Sequence, residues 1–194
     1  MTEILQSQLN KSRKDKFLMV ITLPKILKSI NTADLSVRAK DILNMDSLQF
    51  SIFGTVVPTI QVPAVVAGYA GQSFKASSHS RPPYEDIAVS FTIDNKFNNY
   101  WAMYKWLDIL NDDAASYYNA GDLPDVPAKK TVPANYQADI TVYALDEFDA
   151  KVMKFTYTKA FPVALGGITY SYRDPEEIES SFTFAFSQFI PEPL

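Results

Sequence analysis

The chain has no cysteine and only one histidine among its 194 residues, so it offers few groups for covalent or metal chemistry. Without cysteine, neither disulfides nor thiolate chemistry is possible, which suits assembly in a reducing cytoplasm. His79 lies in the segment SSHSRPP, but neighbours in sequence rarely face each other as a catalytic triad requires, and no GxSxG motif is present. We therefore expect no catalytic residue and interpret His79 as a solvated loop residue.

Ligands for metals and phosphates are equally scarce. The acidic clusters at residues 108–113 and 146–149 lack the spacing and the central glycine of a calcium loop. The dipeptide Gly166–Gly167 lacks the GK[ST] ending of a phosphate-binding loop, and we expect it to permit a positive φ or a close backbone approach. The sequence thus predicts no metal site and no cofactor.

Long apolar runs are also missing. No segment approaches the length of a membrane span, and the opening MTEILQSQLNKSRKDK lacks the apolar centre of a signal peptide. The formal net charge of -4 disfavours general binding to nucleic acid, because affinity for phosphates depends on Lys and Arg. These absences predict a soluble protein that is made in the cytoplasm and has no membrane span.

Aromatic residues, in contrast, make up 13% of the chain, which favours a β-rich core. Apolar and polar residues alternate in four segments, as in strands with one buried face: 87–93, 138–144, 153–158 and 182–186. The apolar run Phe17–Ile21 predicts a strand that is buried on both faces. We expect a single domain over residues 16–194, preceded by a charged arm at residues 1–15 that is either a docking arm or a frayed terminus.

One helix is predicted at about Asn98 to Leu110. Its apolar stripe has helical spacing and consists of Tyr100, Met103, Tyr104, Leu107 and Leu110. Trp101 and Trp106 widen the apolar surface beyond this stripe. Core packing is the favoured interpretation of these aromatic residues, and a subunit contact through one of the two tryptophans is the alternative.

Residues 58–83 combine prolines and glycines with apolar residues. A long loop with apolar residues is unusual inside a compact domain. We interpret it as an extended hairpin that packs on a neighbouring subunit; the alternative is a hairpin that covers its own core. The predicted inter-subunit contact residues are Val62, Val65, Val66, Tyr69 and Phe74.

The order of these elements resembles the tail tube proteins of contractile-tailed bacteriophages. The similarity covers roughly residues 84–190, and it is weaker over 16–66. It rests on the order of the segments IAVSFTID, NYWAMYKWLDILND, ADITVYALD, KVMKFTYTKAFPVALGG and ESSFTFAFSQF. Each motif is weakly specific when taken singly, so the order of the motifs carries the resemblance.

The resemblance implies a mainly β fold, an antiparallel β-sandwich or barrel-like sheet flanked by one helix, and a structural protein that is not an enzyme. It further implies hexameric rings whose sheets join into a barrel and that stack into a hollow tail tube. The implied partners are other copies of the chain, with sheath and baseplate or neck proteins, and DNA passes without specific binding. The implied location is the tail of the virion.

The charged arm and the long 58–83 segment depart from the simplest tube proteins. Two alternatives therefore stay open: a tube-initiating baseplate or neck ring protein of the same fold, and a soluble β-barrel ligand-binding protein or small hydrolase. For a tube, we expect a neutral or acidic lumen, because weak repulsion helps a channel to release a polyanion. The lumen candidates are the polar positions of the predicted hairpin: Asp139, Thr141, Lys154, Thr156 and Thr158.

Overall fold

The computed structural model describes residues 11–28, 42, 47–49, 51–55, 57–110, 133–173 and 176–194. Most of the predicted N-terminal arm, residues 1–10, lies outside the described residues, as does the end of the first acidic cluster, Asp112 and Asp113. The division into an arm and one domain stays a prediction.

The described part of the chain contains ten strands and three short or medium helices. The strands are β1 (Phe17–Thr22), β2 (Ser47–Gln49), β3 (Ser51–Gly54), β4 (Ala64–Tyr69), β5 (Gln72–Ser77), β6 (Ile87–Thr92), β7 (Ala138–Leu145), β8 (Lys151–Leu165), β9 (Glu179–Ala185) and β10 (Gln188–Pro193). The helices are α1 (Lys25–Lys28), α2 (Asn98–Leu110) and α3 (Pro133–Tyr136).

Eight of these strands form one antiparallel sheet in the order β2-β1-β7-β8-β9-β6-β3, with β10 also paired to β8. The long strand β8 joins two parts of this sheet. Its first portion pairs with β7 and β10, and its last portion pairs with β9. We call β2, β1, β7, the first portion of β8 and β10 the first half-sheet, and the remaining strands the second half-sheet.

A bulge in β8 marks the passage between the two half-sheets. The register between β7 and β8 shifts between the pairs Ala138↔Ala160 and Ile140↔Tyr157. Lys159 lies in this bulge with a φ of 55°, and its backbone N–H donates to Asp139 Oδ1 at 3.1 Å. An extra residue of this kind bends a strand and increases its twist, so it lets one strand serve both halves of the sheet.

Alternation along the strands buries one face of the sheet against helix α2. The core residues are apolar side chains from six strands and the helix: Met19, Ile21, Ile87, Val89, Phe91, Ala102, Met103, Trp106, Ala138, Ile140, Val142, Tyr157, Ala160, Phe182, Phe184 and Phe189. The ring of Tyr157 lies at the centre of the aromatic group, with centroids 5.4 Å from Phe184 and 5.3 Å from Phe189. Edge-to-face packing of this kind adds to the energy of burial.

The prediction that β1 is buried on both faces is wrong. Only Met19 and Ile21 are buried, whereas Leu18 and Val20 are partly exposed on the other face. They lie beside Tyr143 and Thr141 of β7, on the side of the sheet that faces away from helix α2. A continuous apolar run therefore does not require two covered faces, because the open face tolerates apolar residues.

Helix α2 occupies the predicted range, but the predicted stripe is only partly right. The buried face consists of Asn99, Ala102, Met103 and Trp106, whereas Tyr104 is 51% exposed. Trp106 is 1% exposed, and its indole Nε1–H donates to the Tyr136 carbonyl at 2.9 Å. The large indole ring turns the helix toward the sheet, so Trp106 belongs to the core and is not available for a subunit contact.

The mainly β fold, the antiparallel strands and the flanking helix are confirmed. The hairpins β4–β5 and β7–β8 also have the predicted positions. Strand β10 was not predicted, because Pro191 and Pro193 argue against an ordinary strand.

The buried hydroxyl of Tyr157 makes the stability of the fold depend on pH in the alkaline range. Burial raises the pKa of Tyr157 from 10.0 to about 12. Between these values the unfolded chain has lost the proton and the folded chain keeps it, so the unfolded state binds fewer protons. Stability therefore falls as pH rises over this interval, by about 1 kcal/mol per pH unit from this one group.

We expect Tyr157→Phe to remove this contribution. The unfolding free energies of the two proteins, measured by urea denaturation at several pH values, should differ by a constant amount below pH 10. Above that pH the parent protein should lose stability faster than the variant. Parallel curves up to pH 12 would contradict the assignment.

Candidate assembly surfaces

The hairpin β4–β5 forms a separate two-stranded sheet that stands apart from the eight-stranded one. Its strands pair without a register shift from Ala64↔Ser77 to Tyr69↔Gln72. Ala70 and Gly71 form the turn with φ values of 51° and 79°. Two central residues with positive φ are typical of the type I′ turn, whose twist matches that of the flanking strands.

All five predicted contact residues lie in or beside this hairpin, and each is more than half exposed: Val62, Val65, Val66, Tyr69 and Phe74. The hairpin therefore does not cover the core of its own chain, which removes the alternative interpretation of residues 58–83. A two-stranded hairpin is marginally stable in water when nothing packs on it. Its apolar side chains are thus exposed in the single chain.

The two faces of the hairpin differ in polarity. The pairs Val65↔Ala76, Ala67↔Phe74 and Tyr69↔Gln72 place most of the apolar side chains on one face. The pairs Val66↔Lys75 and Gly68↔Ser73 form the other face, which is more polar. We call the first of these the apolar face of the hairpin.

A second surface is the open face of the first half-sheet, on the side away from the core. The structure places all five lumen candidates on it, because they alternate with buried neighbours in β7 and β8: Asp139, Thr141, Lys154, Thr156 and Thr158. Thr141 lies opposite Thr156, and Tyr143 lies opposite Lys154. Strand β10 extends these rows, with Ile190 beside Thr156 and Glu192 beside Lys154.

Charges of both signs lie on the open face. Lys154 Nζ donates to Glu192 Oε2 at 2.9 Å, and this hydrogen bond raises the pKa of Lys154. Lys151 lies with its ammonium 4.1 Å from the centre of the Tyr143 ring, at the end of the same face. At the other end, the exposed Lys159 lies in the bulge opposite Asp139. The paired Lys154 does not create a basic patch.

The sequence-based interpretation did not place β1 beside this face and missed strand β10 altogether. Leu18 and Val20 of β1 extend it on one side, and Ile190 and Glu192 of β10 extend it on the other. The segment QFIPEP contains the only local signal for β10, a period of two in which Phe189, Pro191 and Pro193 alternate with the remaining residues. Such a pattern is compatible with an edge strand alone.

His79 lies in an exposed loop after β5, where its backbone N–H donates to Ser77 Oγ at 3.2 Å. Within the described residues, no group of three His, Asp or Glu side chains has an arrangement that would hold a metal ion. In the same part of the chain, no helix has both the length and the apolarity to cross a membrane. The described residues thus form a packed core, an exposed apolar hairpin and an open sheet face.

The fold is a mainly β sheet with one flanking helix and an exposed apolar hairpin. A family model described as phage tail tube protein matches residues 12–192. The chain belongs to the phage tail tube protein family. A search of curated protein sequences finds no match.

Solved structures of contractile systems show the same fold. A chain of the sheath-tube complex of an extracellular contractile injection system (PVC) in the extended state has a TM-score of 0.58 and 10% identity, and the match covers 95% of this chain and 93% of that chain. For the tube-terminating cap of the anti-feeding prophage (AFP), the TM-score is 0.58, the identity 13% and the coverage 95% and 92%. For a chain of the six-fold symmetrised AFP baseplate, the TM-score is 0.51 and the identity 10%, and the match covers 94% of this chain and 95% of that chain.

The family establishes three of the sequence-based expectations. The protein has a structural role in a phage tail tube, it is not an enzyme, and it is located in the tail of the virion. The interpretation as a small hydrolase is therefore set aside. The sequence order of strand, aromatic helix, loop and strands was a sufficient signal for the family.

Proposed function

We propose that the chain forms hexameric rings that stack into the tube of a phage tail, through which DNA passes into the host. The observation that carries the proposal is the match of the tail tube family model over residues 12–192. The exposed apolar hairpin and the open sheet face supply two surfaces that such an assembly needs. The six-fold symmetry of the AFP baseplate, which has the same fold, supports the ring number.

In this proposal the open face of the first half-sheet lines the bore. The face combines hydroxyl, apolar and charged side chains, and Lys154, the lysine among the lumen candidates, is paired with Glu192. Pairing a lysine with a carboxylate keeps its affinity for phosphates low, because each free lysine near a phosphate adds salt-sensitive binding energy. Asp139, Thr141, Lys154 and Thr158 would then face DNA in transit without holding it, whereas the Thr156 hydroxyl is buried among its neighbours.

The hairpin β4–β5 contacts a subunit of the adjacent ring. Its apolar face is exposed in the single chain, and its marginal stability is relieved when a second copy covers Val65, Tyr69 and Phe74. A contact between different patches of identical chains extends into an open stack when its symmetry does not close into a ring. The contact thus provides the axial growth of the tube.

Sheath and baseplate or neck proteins are the proposed partners outside and at the ends of the tube. The structures that share this fold come from a sheath-tube complex, a tube-terminating cap and a baseplate. The tube and the cap chains match equally well, with a TM-score of 0.58 for each. The length of the assembly therefore distinguishes the two roles: a main tube subunit forms a long stack, whereas a terminal protein forms a single ring.

Negative-stain microscopy of the purified chain tests the proposal, with and without the baseplate of the same phage as a seed. Tubes built of stacked six-fold rings are the expected result. Single rings that do not stack in either condition would favour the baseplate or neck alternative. Monomers across a wide concentration range in both conditions would reject the proposed function.

The proposed lumen can be tested through its charge. Asp139→Asn with Glu192→Gln removes two negative charges from the open face and frees Lys154, while an asparagine oxygen still accepts the Lys159 N–H. We expect assembled tubes of this variant to retain DNA at physiological salt, with a steep loss of binding as salt rises. Filter binding over a salt series measures the effect.

A matched control changes the same number of charges elsewhere. Glu85→Gln with Glu177→Gln alters two exposed carboxylates in loops that precede β6 and β9. This control should leave DNA binding weak. Equal retention by both variants would show that net charge, rather than the open face, governs the binding.

A further inference from the structure

The last strand of the sheet has an unusual edge. Strand β10 pairs with β8 from Gln188↔Thr158 to Pro193↔Met153 without a register shift. Within the described residues no strand pairs with its other side. An edge of this kind normally presents unpaired N–H and C=O groups that can template a strand from another chain.

The direction of the backbone groups in β10 follows from one hydrogen bond. Leu194, which directly follows the strand, donates its N–H to the Val152 carbonyl of β8 at 3.0 Å. In an antiparallel pair, successive residues point their backbone groups alternately toward the partner and away from it. Phe189, Pro191 and Pro193 therefore direct their backbone groups to the free edge.

Two of these three residues are prolines and have no N–H. The free edge of β10 consequently offers three carbonyls but a single donor, that of Phe189. The pyrrolidine ring also occupies the space where an incoming carbonyl would lie, so a neighbouring strand is held away. The remaining strand residues, whose N–H groups face β8, contain no proline, so the pairing within the subunit is complete.

The other edge of the first half-sheet is different. Strand β2 is the outer strand there, and its residues Ser47–Gln49 contain no proline. Each residue of β2 therefore has a backbone N–H. The first half-sheet thus has one edge strand in which every residue has a donor and one edge that lacks two donors.

We infer that Pro191 and Pro193 close the edge of β10 to strand addition and so prevent free subunits from joining edge to edge outside a ring. In the assembled ring, a neighbour at this edge is held through side chains instead of a backbone ladder. The partner that the prolines exclude is a second copy of this chain, which offers the donor-bearing edge of β2. The inference concerns the free subunit, so its failure is distinguishable from the failure of the proposed function.

Pro191→Thr with Pro193→Thr restores both missing donors in residues that favour strands. We expect this variant, in the absence of other tail proteins, to associate into irregular assemblies. The concentration at the midpoint of association should fall by at least about tenfold relative to the parent chain, because each new hydrogen bond contributes a factor of a few. Sedimentation velocity gives the midpoint, and negative-stain images show whether the assemblies are rings.

The matched control is Gln188→Thr with Ile190→Thr, which leaves the Lys154–Glu192 pair intact. It adds the same residue type to the same strand, but the N–H groups at these positions face β8 in the parent chain. The control should associate as the parent does. If the control and the proline variant associate equally, or if the proline variant behaves as the parent, the inference is wrong.

Two further outcomes also test the role of the two prolines. Normal rings that form more readily in the proline variant would overturn the inference, because β10 would then be a ring joint limited by its prolines. If the double variant does not fold, as judged by circular dichroism, Pro193→Thr alone repeats the test. This single change restores one donor at the last position of the strand, and unchanged association of the folded single variant would again overturn the inference.

Discussion

Tubes are expected to disappear when Val65 and Val66 are both replaced by aspartate. A carboxylate at position 65 would be buried in the contact between rings and would need to lose its hydration or its charge, and no partner in the hairpin itself offsets that cost. Both valines are more than half exposed in the single chain, so the fold should survive. Negative-stain microscopy should show rings that do not stack.

The two faces of the hairpin provide an internal comparison. Val65 lies on the apolar face opposite Ala76, and Val66 lies on the other face beside Lys75. We expect Val65→Asp alone to prevent stacking and Val66→Asp alone to weaken it much less, because Lys75 can pair with the new carboxylate. Equal effects would mean that both faces are covered in the tube. Thermal unfolding of each variant is the control, and loss of the fold would place the hairpin in the subunit's own structure.

A large loss of stability is expected for Gly166→Ala. A Cβ at this position would lie 2.7 Å from Ser181 Oγ, and 3.0 and 3.1 Å from the backbone O and N of the same residue. The hydroxyl can rotate away, but the backbone of β9 cannot, since Gly166 N–H donates to the Ser181 carbonyl at 2.6 Å. Ser180 Oγ also donates to the Gly166 carbonyl at 3.0 Å, which holds the two segments together.

Forcing a methyl group into this contact should cost about 2 kcal/mol, as overpacking typically does. For a chain of this size, that corresponds to a decrease in Tm of roughly 4–8 °C. Gly167→Ala is the matched control, because no atom lies within 4 Å of a Cβ at Gly167 and the residue has no positive φ. The control should be neutral or slightly stabilising, and equal destabilisation by the two changes would contradict the close approach.

The dipeptide Gly166–Gly167 shows how much a local sequence pattern can predict. The two glycines predicted either a positive φ or a close backbone approach. The structure has the close approach at Gly166 alone, and Gly167 is exposed. The choice depends on Ser181, which is separated from Gly166 by the loop that leads into β9. Short sequence motifs do not contain that information.

Strand positions were predictable where the alternation was regular. Strands β6, β7 and β9 follow the period of two because each has one face on the core, and this local rule is independent of the neighbouring strand. The same rule placed the five lumen candidates on one face. It could not state which face is covered, since a period of two is symmetric with respect to inside and outside.

The family and the absence of catalytic groups were determined by the sequence itself, because they depend on residue types and on the order of elements along the chain. The tertiary structure alone decided the remaining features. Trp106 is buried because Tyr136, distant in sequence, accepts its N–H, and Lys154 is neutralised by Glu192. The outward direction of Pro191 and Pro193 depends on which side of β10 is paired with β8. Contacts between residues far apart in the chain set burial, charge pairing and edge chemistry, and residue order alone does not contain those distances.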